Sequence, residues 1–252
     1  MKKVLLYGLA AFLSFAFFII IFAPAAPIWS LLYASYGKEV FQRIPELKLF
    51  SIEGTIWKGK TNIHYRNFPT SQLSWDVSPL QVLQKIAEVD LDITGDAHNF
   101  ETSVIAEVDR FQLRKLNGRI DANYINQVSE EFGLSFTGEI DAESISISGN
   151  PKGLDIVEGH INWNGGEIVS RTIQAGTQVF NLPPLRGDFS INQQYGGLQL
   201  DIHNDHQVLV AINLKLDGWA VVEIKSRLFT LAGLSWQGDA EDTAITYEEK
   251  LF

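Results

Sequence analysis

Two stretches of this sequence hold residue types whose spacing matches a recognisable chemistry. Gly54-Thr55-Ile56-Trp57-Lys58-Gly59-Lys60-Thr61 fits G-x-x-x-x-G-K-[ST], the pattern of a phosphate-binding loop. Such a loop needs flexible glycine-rich backbone after a buried strand, with N–H groups and a helix N-terminus turned to phosphate. Here the loop would contain Ile56 and Trp57, and Asn62 to Pro69 alternates like a strand before meeting a proline. No apolar strand ending in Asp supplies a Mg²⁺ partner. The octapeptide reads as coincidence, and no nucleotide is expected. The second stretch is Asp201, His203, Asp205 and His206. On a strand, Asp201, His203 and Asp205 share a face opposite Leu198, Leu200 and Ile202, and two imidazoles with a carboxylate suit Zn²⁺. Asn204-Asp205 also reads as a polar turn between strands, and that reading is preferred.

The remaining candidates are weaker. His64, His98 and His160 are scattered, and the pairs Asp141/Glu143 and Glu248/Glu249 read as solvated carboxylates. Neither H-E-x-x-H nor G-x-S-x-G occurs. Catalytic, cofactor and metal residues are therefore all assigned as none, binding residues stay unknown, and no enzyme activity is expected. With no cysteine, a disulfide framework, a thiolate nucleophile and Cys-ligated metal are excluded. A formal charge of −10 argues against a nucleic-acid partner, because phosphate binding rests on clustered Lys and Arg. At 46% hydrophobic over 252 residues, the chain is long and apolar enough to fold.

The elements that would position these residues fall into two unequal parts. After Lys2 and Lys3 no charge appears until Lys38, and Val4 to Ala23 is apolar enough to span roughly 30 Å of bilayer as a helix. A cleaved signal peptide ending at Ala23-Pro24-Ala25 is the competing reading, but the apolar run exceeds what such peptides need. The two lysines keep the amino terminus cytoplasmic, so the bulk of the chain lies across the membrane. Pro24 and Pro27 are expected to end the helix. Trp29, Tyr33 and Tyr36 then share one side of a short helical stretch, either at the membrane interface or packed on the domain. Residues 1–26 are thus read as cytoplasmic start and transmembrane helix, 27–45 as a juxtamembrane helical segment, and 46–252 as a β domain.

Within 46–252 the apolar period becomes two. Val208, Val210, Ile212, Leu214 and Leu216 form one strongly apolar strand face, and Asp217-Gly218 reads as a tight turn. A second hairpin turns at Gly196-Gly197, and further strands surround Val89/Leu91/Ile93, Val104/Ala106/Val108 and Ile145/Ile147. Helices are expected only over Pro79 to Glu88 and Asn123 to Phe132. Glycines two residues before Ile or Phe, at Gly54, Gly118, Gly138, Gly159 and Gly187, each read as opening a strand; Ile52–Gly59 and Val157–Gly165 also resemble one another. Trp57, Trp75, Trp163, Trp219 and Trp236 either pack this sheet or line an apolar groove. The fold class is mainly β: an N-terminal transmembrane helix, then an elongated, curved antiparallel sheet with a few short helices.

The order of these features resembles the type II secretion system protein N (GspN) family. The resemblance rests on the exit Ala23-Pro24-Ala25-Ala26-Pro27-Ile28-Trp29, the segment Gly54-Thr55-Ile56-Trp57-Lys58-Gly59 and Leu73-Ser74-Trp75-Asp76-Val77-Ser78-Pro79-Leu80. It continues through Leu116–Ile120, Phe136–Ile140, Gly159–Gly165 and Leu182-Pro183-Pro184-Leu185-Arg186-Gly187. It implies a single-pass inner-membrane accessory component of the apparatus that exports folded proteins from the periplasm, with other secretion proteins as partners. It also implies kinship with AsmA-like envelope proteins, whose curved sheets form apolar grooves associated with lipid movement. The alternative function is therefore a β-groove protein that binds or moves lipid in the Gram-negative envelope. The resemblance carries no site residues.

Overall fold

The computed structural model describes residues 7, 12, 14–15, 17–41, 46–65, 68–82, 84–129, 133–172, 176–236 and 238–250. Helix α1 (Ala25–Phe41) leads into β1 (Leu47–Gly54), β2 (Lys58–Tyr65), β3 (Ser71–Val77), the single turn α2 (Pro79–Val82), β4 (Ala87–Gly95), β5 (His98–Ala106) and β6 (Phe111–Asp121). Helix α3 (Ala122–Ser129) and β7 (Leu134–Phe136) precede β8 (Glu139–Asn150) and β9 (Gly153–Trp163). A side hairpin of β10 (Gly166–Thr172) and β11 (Gly176–Leu182) comes next. The chain closes with β12 (Leu185–Ile191), β13 (Leu198–Asn204), β14 (Gln207–Leu214), β15 (Trp219–Lys225), α4 (Ser226–Leu231) and β16 (Thr243–Lys250).

Thirteen strands form one antiparallel sheet in the order β1-β2-β3-β4-β5-β6-β8-β9-β12-β13-β14-β15-β16, and β11-β10-β7 form a small second sheet. Twelve spacings make the large sheet about 58 Å wide. An open sheet of this size has to twist and curl. Its register slips mark where strands bend: Ser51, Lys115 and Ser144 take positive φ inside the slips at Phe50/Glu53, Leu113/Leu116 and Glu143/Ser146.

Register places apolar residues opposite apolar residues from one edge to the other. Leu73, Trp75 and Val77 face Ile93, Leu91 and Val89, and further along Leu198, Leu200 and Ile202 face Leu214, Ile212 and Val210. Those in turn face Ala220, Val222 and Ile224. The opposite side carries cross-strand charge pairs such as Lys58–Asp76 (2.7 Å), Arg119–Asp141 (2.7 Å) and His160–Glu143 (2.7 Å). Alternation with period two thus sorts the sheet into one apolar and one solvated face.

The apolar face is not sealed. Ala142, Ile145, Val157 and Leu200 on it are buried, but most of its side chains are half-buried. The chain exposes 16580 Å², against about 11,000 Å² for a compact monomer of its 28.2 kDa. On β14 the ordering expected from sequence reverses. Val208, Val210, Ile212 and Leu214 stay half-buried, whereas Leu209 (1% exposed), Ala211 and Asn213 are buried. Helix α4 packs against β14 and β15.

Several local expectations change. The expected span Val4–Ala23 lies largely outside the described residues; Phe17 to Ile21 are helical. Among the described residues no helix is long and apolar enough to cross a membrane. Pro27 does not end a helix but sits in the first turn of α1, where its missing N–H costs nothing. Pro24 makes an isolated bridge with Thr55. The helix expected to Glu88 stops at Val82, because Ala87 to Gly95 pair with both β3 and β5. Helix α3 ends at Ser129; residues 130–132 lie outside the described set. Of the five glycines, Gly118, Gly159 and Gly187 lie inside strands, Gly54 closes β1, and only Gly138 precedes one. The Lys215–Gly218 connection has positive φ at Gly218 alone, whereas Asp205 and His206 both take it.

Candidate functional site: a helix clamp and an open apolar face

The Gly54–Gly59 segment is a tight β1–β2 connection that grips the end of the N-terminal helix. Gly54 has φ +92, and Thr55 N–H donates to the Lys58 carbonyl at 2.9 Å. That turn presents two donors outward. Ile56 N–H donates to the Ala23 carbonyl at 3.0 Å, and the Trp57 indole N–H donates to the Ile20 carbonyl at 2.8 Å. The last carbonyls of a helix lack their regular partners, and the Ile20 carbonyl is met by Trp57 and, at 3.4 Å, by the Ala23 N–H. Ala23 and Ala25 are buried here, at 8% and 6% exposure. Trp75 supports the turn from the apolar face, its indole N–H donating to the Thr55 carbonyl at 3.2 Å. Val77 N–H, just before α2, donates to the Trp57 carbonyl at 2.6 Å.

This geometry also answers for the phosphate-loop spacing. The Lys58 ammonium bonds the Asp76 carboxylate, which holds its pKa above the usual value. Lys60 sits 3.5 Å from Glu53, and the Thr61 hydroxyl donates to the Phe50 carbonyl at 2.9 Å. Strand β2, not a helix, follows, so the backbone N–H groups are spent on sheet pairing.

The other cluster is divided between a strand and a turn. Asp201 accepts from Gln199 (2.8 Å), His203 Nε2 lies 3.4 Å from Asp188, and Asp205 and His206 form the β13–β14 turn. Among the described residues, no group of three acidic or histidine side chains is placed to hold a metal ion.

One constellation escaped the sequence. His98 Nε2 lies 2.9 Å from the Ser71 hydroxyl, and the Tyr124 ring of α3 packs on the imidazole at 4.4 Å between centroids. Tyr124 also stacks on Phe68 at 5.3 Å, and its hydroxyl donates to the Pro69 carbonyl. Ser71 (5% exposed), His98 (7%) and Tyr124 (9%) are all buried, and burial lowers the His98 pKa more than nearby Asp96 raises it. His98 Nδ1 is buried with no hydrogen-bond partner among the described residues. A Ser–His pair at this distance has the spacing of nucleophile and base, yet its second ring nitrogen has no orienting group. The cluster plugs one end of the apolar face. Its members are 27 and 53 residues from Ser71, and the β3–β4 and β4–β5 pairings with the turn into α3 bring them together.

The tryptophans divide by place. Trp75 and Trp163 lie on the apolar face, Trp236 stacks on Phe229 at 4.9 Å, and Trp219 is exposed at the start of β15. What remains is a half-open apolar sheet about 58 Å wide with a clamped helix at one edge.

Comparison with known proteins agrees with the resemblance read from the residues. The family model for type II secretion system (T2SS), protein N matches residues 45–245, which runs from the start of β1 into β16. No curated protein and no solved structure matches the chain. The match covers the large sheet from β1 to the first residues of β16, the clamp turn included, and well over half of the chain. The chain therefore belongs to the type II secretion system protein N family.

Proposed function

We propose that this chain is an inner-membrane-anchored component with its β domain in the periplasm, where it serves type II secretion through contacts with other proteins of the apparatus. The accessory role in secretion follows from the family. The anchor is supported by one observation above all: the helical residues Phe17 to Ile21, with Phe22, are each more than a third exposed, and the fold clamps the end of that segment through Ile56 and Trp57. Aromatic and aliphatic side chains exposed in an unbroken run have a natural partner in acyl chains. Retention of the segment is favoured over cleavage at Ala25, because Ile20, Ala23 and Pro24 are structural parts of the clamp. No catalytic role is proposed. The test is a tag after Phe252, crosslinking in living cells and identification of covalent partners. Recovery of secretion-apparatus proteins is expected; recovery of envelope lipid-transport proteins alone would overturn the reading.

The half-open apolar face favours a second reading, a groove that binds lipid in the manner of AsmA-like proteins. Its test is direct: protein purified in mild detergent is extracted and its phospholipid content measured per chain. Near-stoichiometric lipid lost on Ile212→Asp, with the fold retained, would establish the groove.

A further inference from the structure

The clamp corner carries a second apolar feature beyond the helix it holds. Leu80 of α2 is 74% exposed and Val82 39%, and α2 begins beside Val77, which is bonded to Trp57. On the other side of the clamp, α1 packs against β1 and leaves Leu31 at 69% and Leu32 at 49% exposure. Charge at this corner is cancelled, since Lys58 pairs with Asp76 and Lys60 with Glu53. That matters because a chain of net charge −10 is repelled by an anionic membrane surface, so any contact has to be made where carboxylates are neutralised and apolar side chains project.

We infer that this corner, the Gly54–Gly59 turn with α1 and α2, rests in the headgroup layer of the bilayer, with Leu31, Leu32, Leu80 and Val82 at the acyl boundary. The occupant is a lipid surface because the corner is continuous with the exposed helical residues Phe17 to Ile21, joined to the end of that segment by hydrogen bonds to the Ile20 and Ala23 carbonyls. The inference rests on the anchor reading above. Its consequence is orientation: β1 to β4 lie against the membrane, whereas the β14–β15 turn is about 40 Å away along the sheet. Helix α1 then lies along the interface instead of standing as a spacer.

The chain has no cysteine, so single-cysteine variants report cleanly. Nitroxide labels at Leu31→Cys, Leu80→Cys, Ser14→Cys, Asp205→Cys and Asp217→Cys would be compared in the full chain, in vesicles of phosphatidylethanolamine with a minority of phosphatidylglycerol. The expected result is a several-fold higher ratio of oxygen to water-soluble nickel-chelate collisions at positions 14, 31 and 80 than at 205 and 217. Nickel-dominated collisions at 31 and 80 with oxygen-dominated collisions at 14 would overturn the docking and leave the anchor standing. Nickel dominance at 14 as well would remove the anchor, and the docking with it.

Discussion

At the scale of single residues, three positions have consequences that can be measured. Trp57 spends its indole N–H on a helix carbonyl, so Trp57→Phe keeps an aromatic ring but removes that bond together with the smaller ring of the indole. A loss of about 1 kcal/mol is expected, read as faster limited proteolysis between Ile20 and Ala26 with the sheet's own melting nearly unchanged. Gly118 lies directly opposite Phe100, whose ring and the Asn99 carbonyl occupy the space a Cβ would need. Gly118→Ala is expected to cost about 1–3 kcal/mol in urea denaturation, as overpacking does. His98 has a pKa lowered in the fold, so protonation favours the unfolded chain. Its contribution is complete above the ordinary histidine range near 6.5 and is lost as pH falls from there through the lowered folded value. Urea midpoints should drop between pH 7 and pH 5 in the wild type, and by less in His98→Gln.

At the scale of elements, β14 shows what a sequence can and cannot reveal. Its alternation fixed which residues share a face, but Val208, Val210, Ile212 and Leu214 looked like the buried set. The buried set is instead Leu209, Ala211 and Asn213, with the alternate residues half-buried. Periodicity reports faces; coverage is a tertiary matter. Leu209→Ala is therefore expected to cost about 2–5 kcal/mol, and Val208→Ala clearly less, when urea midpoints are compared. A larger loss at Val208 would mean that the apolar face is the true core. The same limit explains the other misses. Pro79 to Val82 reads as the start of a longer helix, yet β4 is claimed by pairing with neighbours on both sides. The strand reading and most hairpins were legible from period two and turn residues. The clamp's motif was visible as spacing, but its role was not, since Trp57 and Ile20 are 37 positions apart. The Ser71–His98–Tyr124 cluster left no local signal at all.

At the scale of the whole molecule, thirteen strands share one sheet whose apolar face stays partly open from β1 to β16. A single hydrophobic core would bury more; the surplus exposed surface marks a molecule built to present area to something else. The last strand is also an open edge, with Ile245 at 45% and Tyr247 at 51% exposure, available for pairing with a strand of another chain. The proposed function requires that this surface meets other proteins of the secretion apparatus. The most direct measurement places a photoreactive amino acid at Tyr247, and separately at Asp205 on the turn of the solvated side, irradiates living cells and identifies what is joined. Secretion-apparatus proteins joined at 247, with far less product at 205, are the expected result. Lipid alone at 247, with no protein of that apparatus at either position, would contradict it.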